Sequence, residues 1–309
     1  MSLSSQGLLV VIAGPTAVGK TKLSIELAKR YSTVILSADS RQFFKELTIG
    51  TAPPNEYELN SIPHYFIHHL SIQTYSNVSF YEKEACLLLD DLFKQHKIIF
   101  LVGGSGLYIN AVCHGIDDMP DYDQEIRNYL LEQVEKNGIP WLRMMLQKLD
   151  PETYAIIDLK NKNRLFRAVE VCIQTGKPYS SFLKRTKKQR PFKILKIALN
   201  INREDLYNKI NSRVDKMMQQ GLLEEAKSLF EFRHLLPLKT IGYKELFDYL
   251  EERISLEEAI DLIKRNTRKY ARKQLTWFRR DKEYHWFSPY QKGEIIKLIN
   301  SFLDETIVF

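Results

Sequence analysis

Nothing in the 309 residues is long and apolar enough to suggest a membrane span. The N-terminal apolar run covers only Leu8–Ala13, and no basic stretch precedes it, which excludes a signal peptide. Cysteine is scarce: Cys86, Cys113 and Cys172 are odd in number, far apart, and form no CxxC. That excludes a disulfide framework and a zinc site, and free thiols in a reducing cytosol are expected. The histidines His64, His96, His114, His234 and His285 lack metal-ligand spacing and are expected to be structural or on the surface. Internal repeats are absent. So are acids from two stretches, 181–190 (SFLKRTKKQR) and 264–280 (KRNTRKYARKQLTWFRR). A net charge of +7 alone would serve solubility. Two acid-free basic tracts point instead to a polyanionic partner, nucleic acid or phosphate.

What is present alternates. Leu8–Ala13 reads as a strand buried on both faces. A helical pattern follows over 22–30, a strand over 33–37, an amphipathic helix over 80–95 and a strand over 97–102. Strands alternating with helices imply a parallel α/β sheet. From about 121 to 190 only helical segments are legible, broken by loops at 137–140 (NGIP) and 175–178 (TGKP). A buried strand returns at 194–201, and Asn202 suits a helix N-cap with Glu204 and Asp205 in the first turn. Helices follow to the end, including Leu256–Arg280. The expected architecture is a core domain of residues 1–119 and 194–309 interrupted by an all-helical insertion, 120–193. On the helix 80–95, Glu82, Glu84, Asp90 and Asp91 are expected on the wet face.

Residues 14–21, GPTAVGKT, match G-x-x-x-x-G-K-[ST] in full, between a strand and a helix. This is a P-loop. Its glycines let backbone N–H groups point at phosphate oxygens, and the helix N-terminus adds its positive dipole end. Lys20 supplies a point charge and the Thr21 hydroxyl can hold Mg²⁺. The motif says polyphosphate without saying which. A kinase would want an acid at the end of another apolar strand, but the third strand ends in Gly103, Gly104 and Ser105. The acid follows the second strand instead, at Asp39. It reads either as a solvated loop acid or helix cap, or as a general base beyond the phosphates.

Several segments together resemble the tRNA dimethylallyltransferases, also called tRNA isopentenyltransferases, of bacterial type. They are 14–21, 37–42 (SADSRQ), 49–52 (IGTA), 63–64 (PH) and 101–109 (LVGGSGLYI), then 164–170 (RLFRAVE), 175–177 (TGK), 205–226, 241–243 (IGY) and 267–279 (TRKYARKQLTWFR). The resemblance spans about 14–280. It implies a P-loop NTPase-like sheet flanked by helices with an all-helical insertion, Mg²⁺ as cofactor and dimethylallyl pyrophosphate as donor. The implied acceptor is the exocyclic amine of the adenosine 3′ of the anticodon in a tRNA anticodon stem-loop. By the same resemblance Gly14, Pro15, Thr16, Ala17, Val18, Gly19, Lys20 and Thr21 would bind pyrophosphate. Asp39, Lys20, Thr21 and Ser105 would serve catalysis. Asp39, Ser40, Arg41, Gln42, Ser105, Arg127, Arg164, Arg167, Lys239, Tyr243, Lys244, Arg272, Lys273, Gln274, Trp277 and Arg279 would lie along the tRNA. A cytoplasmic monomer is expected.

The chain departs from the family pattern in places. Ser105 stands where bacterial members usually carry Thr, keeping the hydroxyl. Lys239 and Lys244 stand where Arg is frequent, and lysine cannot make arginine's planar fork. Residues 158–164 read DLKNKNR rather than a His-Pro-Asn-Asp stretch before paired arginines, and His68 replaces a common Asp. Three other readings use the same residues: a P-loop kinase of a small metabolite, an isopentenyltransferase of free adenine nucleotides, and a non-catalytic RNA-binding protein. The first leaves the basic C-terminal tract and the insertion unexplained; the second needs neither; the third does not explain an intact Lys20, Thr21 and Asp39.

Overall fold

The computed structural model describes residues 7–184 and 186–307; Arg185 of the first basic tract lies outside them. The chain forms two compact units, one of residues up to His114 and from Gln189 onward, the other Gly115–Lys188. The sequence expectation had set the breaks a few residues later, at 119 and 193. Lys188 belongs with the second unit because its ammonium meets Asp118 at 3.2 Å and its stem lies on Gly115.

The first unit is built on a six-stranded parallel sheet: β1 (Leu8–Ala13), β2 (Ile35–Ser37), β3 (His64–Tyr65), β4 (Ile98–Gly103), β5 (Lys193–Leu199) and β6 (Tyr284–Phe287), ordered β3-β2-β4-β1-β5-β6. β1 is central and every residue of it is buried. Its side chains alternate between two cores. Leu9, Val11 and Ala13 join one that includes Tyr81, Ala85, Leu89, Ile109 and Val112. Leu8, Val10 and Ile12 join another that includes Leu23, Leu27, Ile210, Ile295 and Ile299. A strand covered on both faces must be apolar at both parities, which is why the run has no polar residue.

The expected α/β class holds. β2 is shorter than expected, since Thr33 turns its hydroxyl to the Ile98 carbonyl and only Ile35–Ser37 pairs as strand. The edge strands β3 and β6 were not anticipated, being two and four residues long. The Asn202 cap is present, its side chain accepting from the Asp205 N–H at 2.8 Å. Glu82 corrects the wet-face expectation: it is 4% exposed and accepts from Arg190 at 2.7 Å, whereas Glu84, Asp90 and Asp91 are exposed.

The second unit packs the helices Gln124–Leu149 and Lys162–Thr175 around Leu130, Leu142, Leu146, Leu165 and Val169. The NGIP loop is a kink rather than a break: Gly138 takes φ 71° and helical structure continues through Pro140. At the other loop, Gly176 closes the helix Lys162–Thr175 in the left-handed region, φ 67°.

Candidate active site

The register fixes where the site must be. Ala13 pairs with Gly103, and Ser37 with Val102, so β1, β2 and β4 end together. The loops that follow them leave the sheet at its carboxyl edge, where open α/β sheets bind ligands. These loops carry the P-loop, the SADSRQ segment and Gly104–Ser105.

In the P-loop, Gly14 takes φ 146°, and a Cβ there would lie 2.8 Å from the Leu199 carbonyl oxygen. Only glycine fits. The Lys20 ammonium is turned back onto the loop, donating to the Gly14 carbonyl at 3.0 Å and the Pro15 carbonyl at 2.8 Å. Burial lowers its pKa to about 8, with Asp39 opposing the shift and Arg213 adding to it. Thr21 is the second residue of the helix Lys20–Arg30.

Arg213, on the helix Arg203–Gln219, escaped the sequence reading. Its guanidinium donates to the Thr16 hydroxyl at 3.3 Å and to the carbonyls of Thr51 and Ala52, both at 3.3 Å. Burial lowers its pKa, with Asp39 opposing. Its hydrogen-bond partners are neutral oxygens, so this partly buried cation beside the P-loop has no carboxylate bonded to it and stays available to an anion. Sequence gave one hint only: Arg213 falls inside the matched 205–226 segment, but one arginine in a charged helix does not stand out.

Asp39 follows β2. Its Oδ1 accepts from the Arg41 N–H at 3.1 Å, and its N–H donates to the Ser37 hydroxyl at 3.3 Å. Ser40 and Ser105 meet across the cleft: the Ser40 N–H lies 3.3 Å and its hydroxyl 3.5 Å from the Ser105 hydroxyl. Two tyrosines unremarked in the sequence border the same place. Desolvation of the hydroxyl, then the Asp39 charge, push Tyr270 up to about 12 although the residue as a whole is 41% exposed, while Arg41 and a hydrogen bond with Ser105 oppose this. Burial also raises Tyr108, with Arg41 opposing and Tyr75 and Asp39 adding.

Several residues expected along RNA also make bonds within the protein. Gln274 is 6% exposed; its Oε1 accepts from the Thr16 N–H at 2.9 Å and its Nε2 donates to the Gly104 carbonyl at 3.0 Å. It ties the P-loop to the end of β4, and a Cβ on Gly104 would fall 2.2 Å from that Nε2. Tyr243 is fully buried and donates to Glu225 at 2.6 Å. Gln42 accepts from the Ser37 hydroxyl at 3.2 Å and donates to the Thr51 and Ala52 carbonyls. In the second unit, Arg127 and Arg167 both pair with the fully buried Glu170, at 3.1 and 2.5 Å. Arg127 also lies over the Tyr122 ring, 4.8 Å from its centroid. A buried carboxylate needs such partners.

The others remain at the surface. Arg164, Lys239, Lys244, Lys273 and Arg279 are exposed. Arg272 is exposed and donates to the Tyr207 hydroxyl at 2.8 Å. Trp277 covers Gly106, where a Cβ would come within 2.2 Å of the indole. Lys269, Arg272, Lys273, Thr276, Trp277 and Arg280 line an open groove of about 500 Å³ along the helix Leu256–Arg280. One cluster could pass for a metal site, His114, Asp281 and Glu283. The Lys196 ammonium already sits among them, 2.6 Å from His114 and 2.7 Å from each acid, and supplies the positive charge itself. Among the described residues, no helix is long and apolar enough to cross a membrane.

Comparison with known proteins shows the family. A tRNA dimethylallyltransferase of Christiangramia forsetii is 52% identical over 90% of this chain and 92% of its own. Another, from Phocaeicola vulgatus, is 50% identical over 95% and 98%. The crystal structure of a tRNA isopentenylpyrophosphate transferase from Bacillus halodurans superposes with a TM-score of 0.72 at 37% identity, covering 97% of this chain and 98% of that one. A eukaryotic dimethylallyltransferase described as acting on tRNA gives a TM-score of 0.72 at 27% identity, over 88% and 69%. The sequence model described as IPP transferase matches residues 42–281, and the chain belongs to that family.

Proposed function

We propose that the protein transfers a dimethylallyl group from dimethylallyl pyrophosphate to the exocyclic amine of the adenosine 3′ of the anticodon in tRNA, releasing pyrophosphate. The observation that carries this reading is the placing of two different sites at one sheet edge. A phosphate cradle with two partly buried cations, Lys20 and Arg213, adjoins an acid, Asp39, and a hydroxyl pair, Ser40 and Ser105. A donor diphosphate fits the first and an amine nucleophile the second.

In the reaction a carbon–oxygen bond breaks and its electron pair leaves on pyrophosphate. Negative charge therefore grows where the P-loop N–H groups, Lys20 and Arg213 converge. One such preorganised donor is worth roughly 3 kcal/mol. Mg²⁺ fits the residues present in kind, since the Thr21 hydroxyl is a hard oxygen donor at a helix start, and bound there it would offset further phosphate charge. The adenosine amine is a weak nucleophile. Asp39 accepts its proton as the new carbon–nitrogen bond forms, a role worth on the order of 100- to 10,000-fold. The base must leave its stack to reach Asp39. Arg164, Lys239, Lys244, Arg272, Lys273, Trp277 and Arg279 are the surface residues assigned to the RNA, through phosphate contact and stacking. The protein acts as a monomer in the cytoplasm, a compartment in which the thiols of Cys86, Cys113 and Cys172 stay reduced.

The test is transfer of radiolabelled dimethylallyl to an anticodon stem-loop with Mg²⁺, with AMP as a competing acceptor. Label on the stem-loop alone is expected. Label on AMP alone would overturn the RNA assignment, and label on neither would overturn the transfer reaction.

A further inference from the structure

Residues 48–50 are gathered by one carboxylate outside the loop. Glu225, on the helix Leu222–Ser228, accepts five hydrogen bonds. Its Oε2 takes the Thr48 N–H at 2.9 Å, the Thr48 hydroxyl at 2.5 Å and the Ile49 N–H at 2.7 Å. Its Oε1 takes the Gly50 N–H at 2.9 Å and the Tyr243 hydroxyl at 2.6 Å. The Tyr243 ring also fills the space beside Gly50, where a Cβ would meet it at 2.6 Å. The loop cannot shift without breaking several of these bonds together.

The next two residues have a different duty. The Thr51 and Ala52 carbonyls point at Arg213 and at Gln42, accepting from both. Ala52 has φ 42°, a left-handed conformation unfavourable for alanine that persists only where its surroundings impose it. Thr51 helps by donating its hydroxyl to the Leu47 carbonyl at 2.7 Å. An unbroken chain of bonds thus runs from Glu225 through the loop to the guanidinium beside the P-loop.

We propose that Glu225 is a positioning residue for the donor site: it sets the direction of the Thr51 and Ala52 carbonyls, and these aim Arg213 at the donor's phosphates. This rests on the reading that Lys20 and Arg213 face a diphosphate. Glu225 itself touches no substrate. Replacing it with glutamine puts an N–H₂ donor against backbone N–H groups, so the loop must move. Losing a hydrogen bond from a charged group costs roughly ten- to a hundredfold in affinity.

The experiment is calorimetric titration of the full chain with inorganic pyrophosphate and Mg²⁺, well below the unfolding temperature. Wild type, Glu225→Gln, Arg213→Met and the double variant are compared. Glu225→Gln is expected to weaken binding about tenfold or more. The double variant is expected to bind no worse than Arg213→Met alone, because the two residues act in series. Thr48→Ala, which removes one bond at the surface, should weaken binding two- to threefold and guards against a Glu225 variant that fails to fold. Binding by Glu225→Gln within twofold of wild type, or additive losses in the double variant, would overturn the proposal while leaving the donor site intact. Unchanged binding by Arg213→Met would overturn both, since Glu225 would then have no cation to aim.

Discussion

The Lys20 ammonium offers the most exacting test of the donor site. Burial lowers its pKa to about 8 in the free protein. A bound diphosphate surrounds it with negative charge and returns it to the protonated form. Binding therefore takes up a proton once the pH passes 8, and affinity falls as pH rises. With a pKa of about 8, roughly three-quarters of the free molecules carry the charge at pH 7.5 and about 3% at pH 9.5. The affinity should drop by about 25-fold between those values, close to 2 kcal/mol. The ligand's own charge is constant there, because the last phosphate ionisation lies near pH 6. The assay is calorimetry with a non-transferable dimethylallyl thiodiphosphate at several pH values. Lys20→Met should bind weakly and without this slope. The same shift makes a statement about stability. The folded pKa lies below the unfolded value of 10.5, so the folded state holds fewer protons between pH 8 and 10.5, and stability rises with pH across that window. Below pH 8 the buried ammonium costs up to about 3 kcal/mol, partly offset by its bonds to the Gly14 and Pro15 carbonyls. Lys20→Met should accordingly raise Tm by a few degrees at pH 7 while losing the donor. An affinity constant within twofold from pH 7.5 to 9.5, or a slope that survives in Lys20→Met, would refute the reasoning.

Three further outcomes are expected. Asp39→Asn should keep donor and stem-loop affinity within about threefold and lose on the order of 100-fold or more in turnover; near-normal single-turnover rates would remove Asp39 as the base. Gln274→Ala orphans the Thr16 N–H and the Gly104 carbonyl, and should lower unfolding free energy by about 2–4 kcal/mol in urea and weaken pyrophosphate binding; a loss confined to RNA affinity would restore Gln274 to the RNA surface. Glu82→Gln leaves Arg190 without its buried counter-charge and should cost about 3 kcal/mol in the same titration with little change in kcat; an unchanged midpoint would show the pair to be dispensable.

The parts legible in the sequence are those whose signal is local. The P-loop lies within eight residues, the Asn202 cap within four, and Leu256–Arg280 starts and ends where its pattern does. The strand β1 announces itself because burial on both faces leaves no alternative to an apolar run. β6 does not: His285 and Trp286 are exposed on an edge, so YHWF has neither alternation nor a continuous apolar stretch. Partnerships were invisible for the same reason. Glu82 looked like a wet helix acid because Arg190 is 108 positions away, and the bonds that Gln274 makes to the P-loop could not be read because Thr16 is 258 away. Periodicity reports which face a residue takes; it says nothing of what waits on the other side.

The basic tract 264–280 shows what this means for function. As sequence it is one acid-free run, and its summed charge suggests a uniform anion surface. Folded, the cations separate by their neighbours. Lys264 pairs with Asp215 at 2.6 Å, Arg268 donates to Asn211 at 2.6 Å and Arg272 to Tyr207 at 2.8 Å, all on the helix Arg203–Gln219. Lys269, Lys273 and Arg280 line the open groove with Trp277, and Arg272 belongs to both sets. The first set fastens the helix Leu256–Arg280 to its neighbour, and the buried Gln274 on that same helix carries the fixed position through to the P-loop. One helix thus presents charge outward while bracing the phosphate site inward. A substitution in the groove should change RNA affinity and its salt dependence alone, whereas one at Arg268 or Gln274 should reach the donor as well.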